Sequence, residues 1–368
     1  MSDRVLILGG RGRIGRSVTA DLLAHTSAAI TVTGRTEAAK PDWDEHQDPH
    51  RLTFLRLDLA DRAAVDAAVQ GCRLVIHCAG PFRYRDTSVL QSCIQQGVDY
   101  LDVSDDRSFT RKALAHRAAA QTAGVTAIVN SGVFPGISNS MVRQGVEQLD
   151  RADRIHLSYV VSGSGGAGVT VMRTTFLGLQ HPFEAWIDGQ WQLVKPYTDR
   201  ETVTFPPPYG TAGVYWFDMP EAYTLVEAFP VQTVITKFGS VPDLYNHLTW
   251  MAAHWLPSAL MRHSGAIEFL SKVSHAMTQV SDRFSGIGVA MRAEVQGEKQ
   301  GQLARYCATF AHENTAVAAG YGVGSIAQLL LAGQLQQPGV WSVEQALPTP
   351  LFEQTLQQRG VQIQQEWL

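Results

Sequence analysis

The run Val5-Leu6-Ile7-Leu8 leading into Gly9-Gly10-Arg11-Gly12-Arg13-Ile14-Gly15 constrains this 368-residue chain more than any other feature. A short apolar strand, a glycine turn and a helix opening at Ile14 make one unit, and each glycine of the GxGxxG spacing answers a separate demand. Gly10 is expected to permit the tight turn. Gly12 is expected to let the backbone approach a pyrophosphate, and Gly15 to let the helix sit close to the strand. With Arg13 and Ile14 in its first turn, the helix end then offers N–H groups and a partial positive charge to phosphates.

The surrounding sequence repeats the same alternation. Apolar, β-branched runs at 4–9, 29–35, 52–58, 74–80, 100–104 and 126–132 are separated by helical patterns near 14–24, 61–69, 86–96 and 108–122. Continuous apolar strands joined by helices predict a parallel sheet covered on both faces, the doubly wound α/β dinucleotide (Rossmann) fold. From residue 155 the pattern changes. Runs at 155–162, 202–205, 214–217 and 231–238 read as strands, 186–194 as a hairpin turning at Asp188-Gly189, and 291–297 with 302–311 as a second hairpin. Sequential hairpins predict an α+β domain with an antiparallel sheet. Residues 244–280 read as one or two helices broken near Pro257. Apolar residues appear on more than one face there, so a buried helix or a contact between copies in a homo-oligomer is expected rather than a membrane-surface helix. Pro206-Pro207-Pro208 reads as a stiff surface loop.

The end of the second strand bears on the nucleotide. An NAD enzyme usually places an acidic residue there to hold the ribose hydroxyls, whereas this chain has Gly34-Arg35-Thr36. Arginine at that place can pair with a 2′-phosphate through charge-assisted hydrogen bonds, so NADP(H) is expected over NAD(H). Asp58 at the third strand end is expected either near the adenine or as the cap of the helix starting at Asp61. Ala79-Gly80-Pro81-Phe82, after the fourth strand, are expected near the nicotinamide ribose.

Several chemistries are disfavoured. None of the ten tyrosines has a lysine four places on, as the short-chain dehydrogenase acid would require, and there is no phosphate-transferring GxxxxGK[ST] loop and no HExxH. His247 and His254 read as a helix stripe rather than a metal site. The net charge of −4 gives no basic excess for nucleic acid. Four cysteines in no CxxC pair read as reduced thiols, which with the missing signal-peptide pattern suggests a cytoplasmic protein. No run is long enough to span a membrane.

With these pieces in place, the chain resembles the saccharopine dehydrogenase-like family, the NADP-dependent saccharopine reductase and carboxynorspermidine dehydrogenase type. The resemblance rests on the glycine loop, Cys78-Ala79-Gly80-Pro81-Phe82, the stretch Gly97 to Ser104, Ser131 to Asn139, and the segment Ala332 to Trp341. It implies an NADP-binding domain at 1–132, an inserted α+β substrate and dimerisation domain at 133–315, and a C-terminal helix and tail at 316–368 returning to the first domain. It also implies an NADP(H)-dependent oxidoreductase reducing a C=N, C=C or C=O bond of a small molecule, in a cleft between the domains. Saccharopine reductases carry Asp-Pro-Gly-Ile-Asp-His where this chain has Phe134-Pro135-Gly136-Ile137-Ser138-Asn139. Fewer charged partners, together with an aromatic-rich insert, predict a rather apolar substrate other than saccharopine. Tyr84, Asp105, Phe134 and Asn139 are the candidate substrate contacts, and Arg83 joins Tyr84 and Asp105 as a possible proton donor. The sequence assigns no catalytic acid. A nucleotide sensor without turnover is the competing reading.

Overall fold

A computed structural model describes residues 3–36, 50–163, 169–256 and 263–368. It divides into two compact units, one of Met1–Ile137 with Ala316–Gly360, the other of Ser138–Thr315 with Val361–Leu368.

The first unit is built on strands β1 (Arg4–Leu8), β2 (Ala29–Gly34), β3 (Leu52–Arg56), β4 (Leu74–His77), β5 (Asp99–Asp102) and β6 (Thr126–Val129), with helix α1 (Arg13–His25) following β1. All pairings are parallel, and the order is 3-2-1-4-5-6 with a seventh strand, Gly339–Ser342, beside β6. This is the doubly wound arrangement that the alternating runs predict. The seventh strand was not anticipated. Its four residues follow a proline and carry one tryptophan, too short a run to register as a strand. Arg117 holds it, with Nε donating to the Val340 carbonyl at 2.9 Å and its guanidinium 4.3 Å from the Trp341 ring centroid. The helical pattern at 108–122 is two helices, Arg107–Leu114 and Arg117–Ala123.

Helix Thr315–Leu331 approaches the first unit's own elements through three glycines. A Cβ at Gly320 would lie 2.8 Å from Ser17, one at Gly322 2.1 Å from the Gly132 carbonyl, and one at Gly324 1.8 Å from the Asp21 carboxylate. Backbone can come this near only where no side chain intervenes.

The second unit's sheet is mixed. Its strands are β7 (Arg151–Ser162), β8 (Phe183–Ile187), β9 (Gln190–Val194), β10 (Glu201–Phe205), β11 (Gly210–Trp216), β12 (Thr233–Val241), β13 (Val289–Lys299) and β14 (Gln302–His312). β8–β9, β10–β11 and β13–β14 are antiparallel hairpins. Asp188 at φ 51° and Gly189 at φ 75° form the expected turn, since both central residues of a tight hairpin turn take positive φ. The triple proline turns between β10 and β11. The departure from an antiparallel sheet is β7–β12, a parallel pair in register from Thr233↔Arg154 to Val241↔Ser162. A long connection of two helices and four strands separates the two, so no hairpin signal could show the pairing. The last strand, Gln364–Trp367, adds to β14, so the end of the tail joins this unit and not the first.

Helices Leu244–Trp255 and Ser264–Ser285 carry the 244–280 pattern, and the break expected near Pro257 lies outside the described residues. Of the two expectations for this stretch, burial fails, since each helix shows an exposed apolar stripe; a single chain does not test the contact between copies.

Candidate functional site

The ends of β1, β2 and β4 converge on the glycine loop. Gly9 N–H donates to the Thr33 hydroxyl at 3.2 Å, and Cys78 N–H to the Leu8 carbonyl at 2.8 Å. The tight turn is made at Gly9 (φ 74°), not at Gly10 as expected. Gly9 is also pressed against the β4 loop, where its missing Cβ would lie 2.9 Å from the Ala79 Cα. Gly10 serves packing instead: a Cβ there would meet the Val32 side chain at 2.6 Å. At Gly15 a Cβ would lie 2.4 Å from the Gly9 carbonyl, which ties helix α1 directly to the turn. Gly12 shows the mildest of these approaches, 3.2 Å, and caps α1 with no side-chain hydrogen bond and no acidic residue in the first turn. Arg13 begins that helix, exposed, and Ile14 follows it half-buried.

At the end of β2, Gly34 exists because Arg11 lies over it, 2.8 Å from where a Cβ would be. The Arg11 guanidinium stands 5.6 Å from the Phe54 ring centroid and donates to the Thr36 carbonyl at 2.9 Å. Arg35 is exposed, and its carbonyl accepts from Arg56 Nε at 3.2 Å. Asp58 is exposed and does not cap the next helix. It accepts from the Ala60 N–H, while Asp61 accepts from the Ala64 N–H as the N-cap.

The loop after β4 passes through a cis Gly80-Pro81 bond, and Ala79, Gly80 and Pro81 are half-buried. Phe82 turns into the core, with ring centroids 5.0 Å from His77 and 4.9 Å from Phe109. Tyr84 is 60% exposed. Asp105 sits half-buried between β5 and the helix that Asp106 caps, and Arg83 faces Asp106 at 3.6 Å. Phe134 precedes a cis proline and Gly136 (φ 136°), at the end of the first unit. Asn139 belongs to the second unit, fully buried, beside the Ser138 hydroxyl that donates to Glu221 at 3.0 Å.

Sequence reasoning passed over Arg85. Its Nε donates to the Ala79 carbonyl at 2.8 Å, which fixes a half-buried guanidinium on the β4 loop. Burial, then the neighbouring Arg35, lowers its proton affinity, while Asp58 and Asp86 act in the opposite sense. Two arginines from different strand ends therefore share one locality. An arginine immediately after Tyr84 was visible in the sequence, but its direction was not.

Beneath this surface Asp102, fully buried at the end of β5, accepts from the Ser104 and Asn130 N–H groups at 3.0 and 2.9 Å. Asn130, at φ 62°, donates to the Ser104 carbonyl at 2.7 Å. His77 at the end of β4 lies beside the Tyr100 hydroxyl at 3.2 Å. Burial, then Arg85, pushes its pKa down to about 3, so it stays neutral. Burial, reinforced by Asp102, pushes the Cys78 thiol up to about 12, which makes it a poor nucleophile.

Burial lifts Asp102 from 3.8 to about 6 against the pull of its N–H donors. The unfolded carboxyl ionises first, so this group lowers stability as pH rises from about 4 to 6, and the cost is complete above 6. Asp102→Asn keeps an oxygen for both N–H groups and removes the charge. It is expected to stabilise the protein by about 1–3 kcal/mol at pH 7 and by almost nothing at pH 4. Denaturant midpoints at the two pH values check this, and an equal effect at both would refute it.

Sheet order and glycine loop define a dinucleotide-binding domain. Residues 5–128 match the family model described as the saccharopine dehydrogenase NADP binding domain. This domain belongs to that family. The carboxynorspermidine synthase of Vibrio cholerae is 26% identical over 76% of this chain and 74% of its own. The carboxyaminopropylagmatine dehydrogenase of Synechocystis is 24% identical over 95% of this chain and 94% of its own. Among solved structures, the L-glutamate-forming saccharopine dehydrogenase of Saccharomyces cerevisiae shares the fold across the full length of both chains, with a TM-score of 0.74 at 14% identity. No helix among the described residues is long and apolar enough to cross a membrane.

Proposed function

We propose that this chain is an NADP(H)-dependent oxidoreductase that reduces a C=N, C=C or C=O bond of a small molecule. The observation that carries the cofactor reading is the pairing of Arg35 and Arg85 at the ends of β2 and β4. Arg35 stands at the strand end where an NAD enzyme would present an acidic side chain, and helix α1 after the glycine loop has no acidic residue in its first turn. Gly12 supports the same reading. Internal packing restricts it least of the loop's glycines, which leaves ligand approach as its main requirement. Hydride chemistry resides in the cofactor, and the protein's share is orientation and exclusion of water.

The apolar-substrate expectation loses its main support, because Phe183, Tyr215, Trp216, Phe217 and Phe238 of the aromatic-rich insert are buried in packing. Two relatives are named for carboxylated amines, and this favours a C=N bond within the set. Tyr84, Asp105 and Phe134 remain the candidate substrate contacts on the first unit. Asn139, buried beside Ser138, is a candidate for orienting the chain after Pro135.

The test follows the absorbance of NADPH, and separately NADH, with three substrate panels: amines mixed with 2-oxo acids or aldehydes, enones, and simple carbonyls. Oxidation of NADPH by an amine–carbonyl pair is the expected result. Tight NADPH binding with no oxidation in any panel would favour a nucleotide sensor instead.

A further inference from the structure

The second unit carries a surface that nucleotide chemistry does not use. On helix Ser264–Ser285, Phe269, Val273, Met277, Val280 and Phe284 recur at i, i+4, i+8, i+11 and i+15, one continuous helical face. They are exposed by 66, 40, 42, 68 and 90%. On helix Leu244–Trp255, Leu244, Leu248, Met251 and Trp255 form a second exposed stripe at the same spacing. The Tyr245 hydroxyl donates to the Met277 carbonyl at 3.3 Å and links the two helices. So large an apolar surface calls for an occupant.

Charge selects among occupants. The row beside the longer stripe, Lys272, Ala276, Gln279 and Arg283, is exposed and holds two cations and no acid. Glu268 pairs with Arg173 and, at 3.5 Å, with Lys272, so Arg283 is the less engaged of the two cations, and the Asp282 carboxylate lies 2.1 Å from where a Cβ on Gly163 would be. On the shorter helix, exposed His247 and His254 lie beside the stripe, and Asp243 is engaged by Arg200 and His247. A second copy is a poorer match. The stripe reads Phe-Val-Met-Val-Phe in either direction, so an antiparallel pair would align it, but a two-fold axis would set each Lys272–Arg283 row against the same row of the other copy. Like charges would face each other there.

We propose that these two helices form a docking face for a membrane surface bearing anionic lipid headgroups. The stripes enter the interfacial layer, and Lys272 and Arg283 meet the phosphates. Apolar residues including tryptophan on one face with basic residues along its edge are the features of a helix that lies in such an interface.

The test mixes the full chain with phosphatidylcholine vesicles, pure or containing about one-third phosphatidylglycerol, and reads the bound fraction by co-sedimentation. Binding to the anionic vesicles is expected, falling about fivefold for each of Lys272→Gln and Arg283→Gln. The double variant Phe269→Ser, Phe284→Ser is expected to lose tenfold or more. Both phenylalanines are exposed, so these variants should keep the parent's thermal midpoint and NADPH affinity. No binding to anionic vesicles would overturn the proposal, as would equal binding to neutral ones. A wild-type dimer that Phe284→Ser converts to monomer would also overturn it, by showing that a second copy covers the stripe.

Discussion

Replacing Arg359 by methionine is expected to cost about 3–5 kcal/mol of stability, the usual range for removing one partner of a buried ion pair. Arg359 Nε and Nη2 donate to the two oxygens of Asp21 at 2.8 and 2.6 Å, and both side chains are buried to within 1%. Its Nη1 donates to Gln328 and to the Thr355 carbonyl, both at 3.0 Å. Asp21 lies on the helix that opens at the glycine loop, and Gly324 leaves the space its carboxylate occupies. One arginine therefore fastens the C-terminal segment to the helix that follows the glycine loop. Burial already raises the Asp21 carboxyl, with Arg359 as the main opposing influence. Without Arg359 the carboxyl rises further, so the variant loses stability as pH increases and its deficit shrinks in acid. Asp21→Asn added to Arg359→Met should restore much of the loss. Denaturant titration of the three variants measures this, and an Arg359→Met protein within about 1 kcal/mol of the parent would sink the argument.

Exchanging Arg35 for aspartate and Arg85 for serine together is expected to weaken NADPH binding by about 10²–10³-fold and to leave NADH binding within a few-fold. Each charge-assisted hydrogen bond to a phosphate contributes about 1.5–3 kcal/mol, and the 2′-phosphate is the one group NADH lacks. Arg85 has a second tie, its Nε bond to the Ala79 carbonyl, so its single variant should also loosen the β4 loop and affect both nucleotides modestly. Arg35, exposed, should show the cleaner discrimination. Calorimetric titration with both nucleotides decides it. Unchanged NADPH affinity in the double variant would mean that the phosphate is read elsewhere.

Much of the fold was legible because its signals are local. From Val5 to Leu8, β1 is a solid apolar run of buried residues, and the hairpin at Asp188-Gly189 is written in two residues that accept positive φ. The glycine loop was legible as a unit but not in its division of labour. GGxG offers two glycines for one turn, and only the contact of Gly9 with Ala79, seventy residues on, assigns the turn to it. Asp58 stood open between the adenine and the cap of a helix starting at Asp61, and the actual helix starts one residue later, at Arg62, with Asp61 as its cap. Phe82 belongs to a recognisable motif yet spends its ring on His77 and Phe109, which sequence adjacency does not reveal.

What the sequence determined by itself is the dinucleotide domain and the sign of the charge at its specificity end, because strand periodicity, glycine spacing and an arginine at a strand terminus are short-range properties. Only the tertiary structure decided what depends on distant segments meeting. It paired β7 with β12 in parallel, brought Arg85 beside Arg35, and buried Asp21 against Arg359 across 338 positions of chain. It also left the two stripes of the second unit exposed where the pattern suggested burial or a contact between copies. Helical periodicity shows that a face is apolar, and only the packed neighbours show whether anything covers it.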